Sequence, residues 1–334
     1  MLAAASVDVM GIGAFTANAV DGVMDRSVVI GYTKIGSLIR RRFWPDDPAA
    51  ASMSGKRVVV TGATSGLGEA MALSFARLGA AVHLLGRNPE KVAVSATRVR
   101  NAVPTTDVVE EVCDVSDLDA VRTWTASLAQ RVTSLHGLVH NAGAMPPIRE
   151  ESAQGHEMAL AVHVLGPHLM TEGLLPVLTA ADGSSVVFMS SGGMYSTPLV
   201  DDLEYTDGEY RGIRAYARTK RMQVVLADAW ARRIAGSGVS VESMHPGWAE
   251  TPGVADSLPT FRKLTGPLLR NAEDGADTAV WLVATRPPSA PPHFWHDRAQ
   301  RPTTFGWQRA EEPMKVAHFL REVSSMTDTS LDWT

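Results

Sequence analysis

From Lys56 onward, short β-branched apolar runs alternate with longer stretches whose apolar residues recur every three or four positions. "KRVVVTG" has the continuous valines of a strand buried on both faces, and a glycine stops it. "GEAMALSFARLG" then carries apolar residues at helical spacing and closes on another glycine. "AAVHLLGR" reads as a second strand, and "PEKVAVSATRVRNAV" as a second helix with proline near its start. "DVVEEVCDV", "LHGLVHNAG", "SSVVFMSS" and "GVSVESMHPG" continue the series, each separated from the next by a helix-length stretch. Strands that alternate with helices pair in parallel through right-handed crossovers, because only that hand packs each helix back onto a twisted sheet. The pattern predicts an α/β fold: a single Rossmann-like, doubly wound parallel sheet covered on both faces.

The α/β rhythm spans residues 55–286. Residues 1–54 precede it as an N-terminal extension, a helix followed by the polar, proline-bearing linker "RRRFWPDDPAAASMSG". Residues 287–334 follow it as a proline-rich connection, with "RPPSAPPHFW", and a last helix around 311–325. Within the domain, residues 192–214 form a polar insertion between a strand and the next helix.

Composition narrows the function classes. The chain has 334 residues, 45% of them hydrophobic, which supports a sizeable core and excludes wholesale disorder. A net charge of −5 argues against the clustered basic footprint of a nucleic-acid binder. The single cysteine, Cys113, forms no intramolecular disulfide, so no oxidising compartment is demanded. No uninterrupted apolar run approaches the roughly 20 residues that span a bilayer. The first residues lack a basic segment, and Asp8 interrupts their apolar stretch, so a signal peptide is not expected. The expected location is the cytoplasm, with peripheral membrane association as the variant.

"VVVTGATSGLGEA" places Gly62, Gly66 and Gly68 directly after a strand and at the opening of a helix. Glycine permits the tight turn and a close backbone approach, while the helix N-terminus offers N–H groups and a positive dipole end to a pyrophosphate. "GIG" at 11–13 has neither the preceding strand nor the third glycine. The second strand ends "HLLGRN", with no acid to accept from ribose hydroxyls and with Arg87 in that place. A guanidinium matches a 2′-phosphate, which favours NADP(H) over NAD(H).

In "AYARTKRMQ", Tyr216 and Lys220 stand four apart on one face of a helix. A phenol with its ordinary pKa near 10 moves protons poorly at neutral pH, and a nearby ammonium favours the phenolate. The few tyrosines and lysines of this chain yield about 0.1 such pairs by chance. Ser190 and Ser191 end the preceding strand, where a hydroxyl can hold a substrate oxygen. Tyr195 is nearer in sequence to Ser191, but Leu199 occupies its i+4 position.

The motifs "TGATSGLG" (61–68), "NAG" (141–143), "SS" (190–191), "YARTK" (216–220) and "PGWAET" (246–251), in that order, resemble those of the short-chain dehydrogenases/reductases. "SSGGM", "TKRMQVVL" and "SMHPGWAETPGV" are most similar to the branch of dehydrogenase/reductase family member twelve. The resemblance implies an NADP(H)-dependent oxidoreductase that interconverts a carbonyl and an alcohol by hydride transfer. Tyr216 is then the general acid/base. Ser191 orients the substrate, with Ser190 its runner-up, and Lys220 also grips the nicotinamide ribose. Cofactor contacts are implied for Gly62, Thr64, Ser65, Gly66, Leu67, Gly68 and Arg87, for Asp114 and Val115 beside the adenine, and for Asn141, Ala142 and Gly143. Pro246 and Gly247 would shape the turn before Thr251, which would hold the carboxamide. Loops 192–214 and 252–271 would line the pocket of a small apolar carbonyl or alcohol, and a homo-oligomer is expected.

One position departs from the family. An asparagine is usual in the helix before the serine strand, and "AVHVLGPHLMT" places His163 there. Histidine either replaces it in the proton relay, making turnover sensitive to pH near 6.5, or is a packed helix residue. No metal is expected: His136 and His140 are too far apart along a strand, and His293 and His296 lack an evident acidic partner.

Residues 26–44 place Val28, Tyr32, Ile35 and Ile39 on one helical stripe, with Lys34 and Arg40 to Arg42 adding charge. Packing on the domain or a partner subunit is favoured over a helix resting on anionic lipid, because the stripe is no wider than a core face. The rival to an enzyme is an NADP(H)-binding protein of the same fold with vestigial catalysis.

Overall fold

The computed structural model describes residues 31–249, 269–330 and 333. Val28, Thr251 and residues 252–268 of the second expected pocket loop lie outside them. Eight strands form one sheet in the order β3-β2-β1-β4-β5-β6-β7-β8. They are β1 (Arg57–Thr61), β2 (Ala81–Gly86), β3 (Val108–Val112), β4 (Gly137–His140), β5 (Ser184–Met189), β6 (Val239–Met244), β7 (Phe294–His296) and β8 (Ala299–Gln300). All neighbours are parallel except the last pair, β7 with β8.

Side chains along the strands alternate between two cores. Val59, Val186 and Phe188 face one cluster, which includes Leu128 of α4 (Leu118–Arg131), Leu174 of α5 (Met158–Thr179) and Trp230 of α6 (Gly212–Arg233). Val58, Val60 and Val187 face the other, with Phe75 of α2 (Gly66–Arg77), Val99 of α3 (Pro89–Ala102) and Trp281 of α7 (Ala272–Thr285). This two-sided burial explains why the strands read as continuous apolar runs. Among the described residues, α5 is the one helix with the length and apolarity to cross a membrane, and most of it is buried inside the fold.

Because β1 lies between β2 and β4, the chain reverses its direction of winding there. That leaves a crevice beyond the C-terminal ends of β1 and β4, where ligands of open α/β sheets bind.

Two regions differ from expectation. The proline-rich connection contributes β7 and β8 to the main sheet, with Phe294 and Trp295 buried. Strands of three and two residues are too short to show a period. In the extension, α1 (Lys34–Arg40) does not bury the expected stripe. Tyr32 is buried, whereas Ile35, Leu38, Ile39 and Phe43 are exposed. The helix packs instead through Gly36, Ser37 and Arg40, whose guanidinium pairs with Asp297 at 3.0 Å.

Candidate active site

The β1–α2 turn is built by close contact. Gly62 has φ +65°, and a Cβ there would lie 2.9 Å from the Ala142 Cα. A Cβ on Gly68 would fall 2.2 Å from the Gly62 carbonyl oxygen and 2.6 Å from Asn141 Nδ2. Asn141 Nδ2 donates to the Thr61 carbonyl at 3.0 Å, and the Thr61 hydroxyl receives the N–H groups of Asn141 and Ala142. "NAG" thus braces the turn from β4. Ser65 precedes α2 in extended backbone without capping it, so the first helical N–H groups keep no side-chain acceptor. A cradle that only hydrogen side chains fit, at an uncapped helix N-terminus, suits a dinucleotide pyrophosphate.

The remaining cofactor candidates fall around the same crevice. Gly86 abuts Thr64, where a Cβ would sit 2.7 Å from the threonine methyl, so the next residue, Arg87, emerges exposed beside the loop. Asp114 follows β3 and accepts from the Ser116 N–H and hydroxyl at 2.9 and 2.7 Å. Val115 is buried, its carbonyl against Gly166. Pro246 and Gly247 follow β6, with Gly247 at φ +75°. Leu67 packs on Gly275 of α7 and joins the second core. Gly143 borders the ring of His163.

Tyr216, Lys220, Ser191 and His163 come together. Ser191 lies two residues beyond β5; its Oγ accepts from the Gly193 N–H at 3.2 Å, and its hydroxyl acts on the Tyr216 phenol. Ser190 is committed elsewhere: its hydroxyl donates to the Lys220 carbonyl at 2.9 Å in the interior. Lys220 Nζ lies 5.3 Å from the Tyr216 ring centroid. It donates to the Met189 carbonyl at 2.8 Å and to Gln223 Oε1 at 2.9 Å.

Burial governs the electrostatics. It raises the Tyr216 pKa, which Ser191 partly offsets, and it draws Lys220 down to about 7. Desolvation thus outweighs the expected lowering of the phenol.

His163 sits in a π-helical turn, Ala161–Leu165, within α5. Pro167 has no N–H for the His163 carbonyl, and a widened turn is the usual response. Its Nε2 accepts from the Ala144 N–H at 3.1 Å, which puts the proton on Nδ1, directed at Thr219 Oγ1 2.8 Å away. The imidazole stands edge-on to the Tyr216 ring at 5.5 Å. Burial, then Lys220, holds its pKa well below 6.5, so the neutral form is fixed and no titration near 6.5 arises from it. Thr219 and Gln223 were not singled out in the sequence. Each lies three residues after a site residue on α6, the spacing that shares a helix face.

A profile for short chain dehydrogenases matches residues 56–260. The chain belongs to the short-chain dehydrogenase/reductase family. It is 34% identical over 301 residues to dehydrogenase/reductase SDR family member 12 of Bos taurus, covering 88% of this chain and 94% of that one. Retinol dehydrogenase 13 of Homo sapiens is 33% identical over 71% of this chain and 74% of its own. A short-chain dehydrogenase of Escherichia coli, solved with NADPH, superposes with a TM-score of 0.59 at 25% identity, covering 71% of this chain and 93% of that one. This short-chain dehydrogenase/reductase is accordingly an oxidoreductase that uses a nicotinamide cofactor.

The histidine expectations need one correction. His296 does have an acidic partner, Asp297 at 3.2 Å, and His293 lies 3.8 Å from Glu242. The Asp297 carboxylate is taken by Arg40 and Arg270, and among the described residues no group of three metal-ligating side chains is assembled.

Proposed function

We propose that the enzyme reduces an apolar carbonyl compound with NADPH, or oxidises the matching alcohol with NADP, and that Tyr216 is its general acid/base. The observation that carries this reading is the gathering of Tyr216, the buried Lys220 with Nζ 5.3 Å from the Tyr216 ring centroid, and Ser191 just beyond β5. The bound nicotinamide supplies or accepts the hydride. Ser191 Oγ holds the substrate oxygen, and the Tyr216 hydroxyl gives that oxygen its proton in reduction and takes it in oxidation. Lys220 and Tyr216 also hold the nicotinamide ribose. Gly62, Thr64, Ser65, Gly66, Leu67 and Gly68 cradle the pyrophosphate, and Arg87 binds the 2′-phosphate. Asp114 and Val115 flank the adenine, and Asn141, Ala142 and Gly143 line the cofactor. Pro246 and Gly247 lead to Thr251 at the carboxamide. His163 acts here through Thr219 as a fixed neutral brace.

An apolar substrate is in keeping with the surface near the start of α6. The loop after β4 meets the start of α6 at Gly212, where a Cβ would lie 2.2 Å from the Pro146 carbonyl, and exposed Ile148 and Ile213 flank that contact. NADPH oxidation across aldehydes and ketones of graded apolarity, with NADH in parallel, tests the reading. Turnover is expected with NADPH. Equal use of NADH would refute the role of Arg87, and NADPH binding without turnover would favour the vestigial binding protein.

The exposed Ile35, Leu38, Ile39 and Phe43, beside Lys34 and Arg42, support a second, compatible reading: peripheral contact with anionic lipid. Co-sedimentation with phosphatidylserine vesicles that Phe43→Ser does not weaken would dismiss that face.

A further inference from the structure

The family match covers residues 56–260, yet two segments outside it meet beside the active site. Gly31 and Arg40 come from the N-terminal side; Arg270, His296 and Asp297 come from the C-terminal side. The Gly31 carbonyl accepts from Arg40 Nη1 and Arg270 Nη2, both at 3.0 Å. Asp297 accepts from the same two guanidinium groups at 3.0 and 2.9 Å, and all three side chains are at most 5% exposed. Burial alone would raise the Asp297 carboxyl, but His296, Arg270 and Arg40 outweigh it and keep the group ionised.

This cluster fixes Tyr32, which touches both loops of the site. The Tyr32 carbonyl accepts the Trp248 N–H at 2.8 Å and Arg270 Nε at 3.2 Å, so it holds the turn that begins at Pro246 and Gly247. A Cβ on Gly247 would come within 2.9 Å of that carbonyl. The Tyr32 ring lies across Gly192, directly after Ser191, where a Cβ would fall 2.8 Å from Cε2. Met194, Tyr195, Val224 and Phe294 complete the apolar seat of the ring.

We propose that Tyr32 is a positioning residue of the active site, and that the Arg40–Asp297–Arg270 cluster latches the N-terminal segment onto the Ser191 loop and the Pro246–Gly247 turn. The roles of those two loops rest on the function proposed above. The latch itself does not. Residues 31–43 then belong to the catalytic unit, although they precede the part of the chain that defines the family. The ring walls Ser191 from behind, and the carbonyl sets the turn that faces the cofactor.

Hydrogen exchange on the full-length chain without cofactor tests the latch, alongside NADPH binding and steady-state kinetics. Tyr32→Phe keeps the ring and the carbonyl and is expected to match wild type. Tyr32→Ala is expected to speed exchange of the Gly193 and Trp248 amides by about tenfold or more, with β1 to β4 unchanged. NADPH affinity and kcat should fall with it. Tyr32→Leu carries the same comparison if the alanine variant does not fold. Wild-type exchange at both amides in Tyr32→Ala or Tyr32→Leu, or an increase spread evenly over the sheet, would overturn the proposal. So would a Tyr32→Phe defect as large. If wild type shows local protection but turns over no carbonyl, the functional reading fails and the latch stands.

Discussion

Two adjacent serines just beyond β5 have different surroundings, and the difference is measurable. Ser190 spends its hydroxyl on the Lys220 carbonyl, whereas Ser191 meets the Tyr216 phenol. Ser190→Ala is expected to cost about 1 kcal/mol of stability with little loss of rate. Ser191→Ala should leave stability within about 0.5 kcal/mol and lower kcat/KM for reduction by about a hundredfold. Denaturant titration and kinetics of both variants check this, and the reverse pattern would exchange the roles. Lys220 carries a pH signature. Burial brings its pKa from 10.5 to about 7, so between those values the unfolded chain binds a proton that the folded chain does not. The full cost of the buried charge is present below about 7, and stability recovers as pH rises towards 10. The stability of cofactor-free Lys220→Met relative to wild type should therefore decline by about 2–3 kcal/mol from pH 6 to pH 9. A pH-independent difference would show that Lys220 is not held near neutrality.

At the scale of elements, the β1–α2 turn is a contact between two backbones. A methyl on Gly68 would press 2.2 Å from the Gly62 carbonyl, and neither chain is a flexible side chain that can move aside. Gly68→Ala should lower NADPH affinity at least about tenfold and reduce thermal stability. Fluorescence titration that returns wild-type affinity would mean the turn does not bind the cofactor. This turn was legible in the sequence because its geometry is local: a strand, three glycines and a helix in succession. The six longer strands were legible for the same reason, each long enough to show a run. The stripe of Tyr32, Ile35 and Ile39 misled, because the segment docks through the Gly31 and Tyr32 carbonyls, the Tyr32 ring and Arg40, leaving Ile35 and Ile39 exposed. His163 was visible as a departure, but its partners are not close in sequence. Thr219 reaches it only because α5 and α6 are brought together, Ala144 because the loop after β4 passes beside it, and Pro167 supplies the deformed turn.

Over the whole molecule, the sheet order sets the crevice, and the β1–α2 turn and the Ser191–Tyr216–Lys220 group are the two places in it to which the proposed function assigns cofactor and chemistry. The segments flanking the family core meet at Asp297. Cofactor choice belongs to this scale, since the role proposed for Arg87 lies at the far end of the cofactor from the chemistry. Arg87→Glu is expected to raise KM for NADPH by about tenfold or more and leave KM for NADH little changed. An equal rise for both would show a structural effect. The most direct test of the central claim is a comparison of Tyr216→Phe with wild type, with NADPH binding measured by fluorescence and carbonyl reduction by NADPH oxidation. The expected result is retained NADPH binding with reduction lowered by about 10²- to 10⁴-fold; undiminished reduction by Tyr216→Phe would contradict the assignment of Tyr216 as the proton donor.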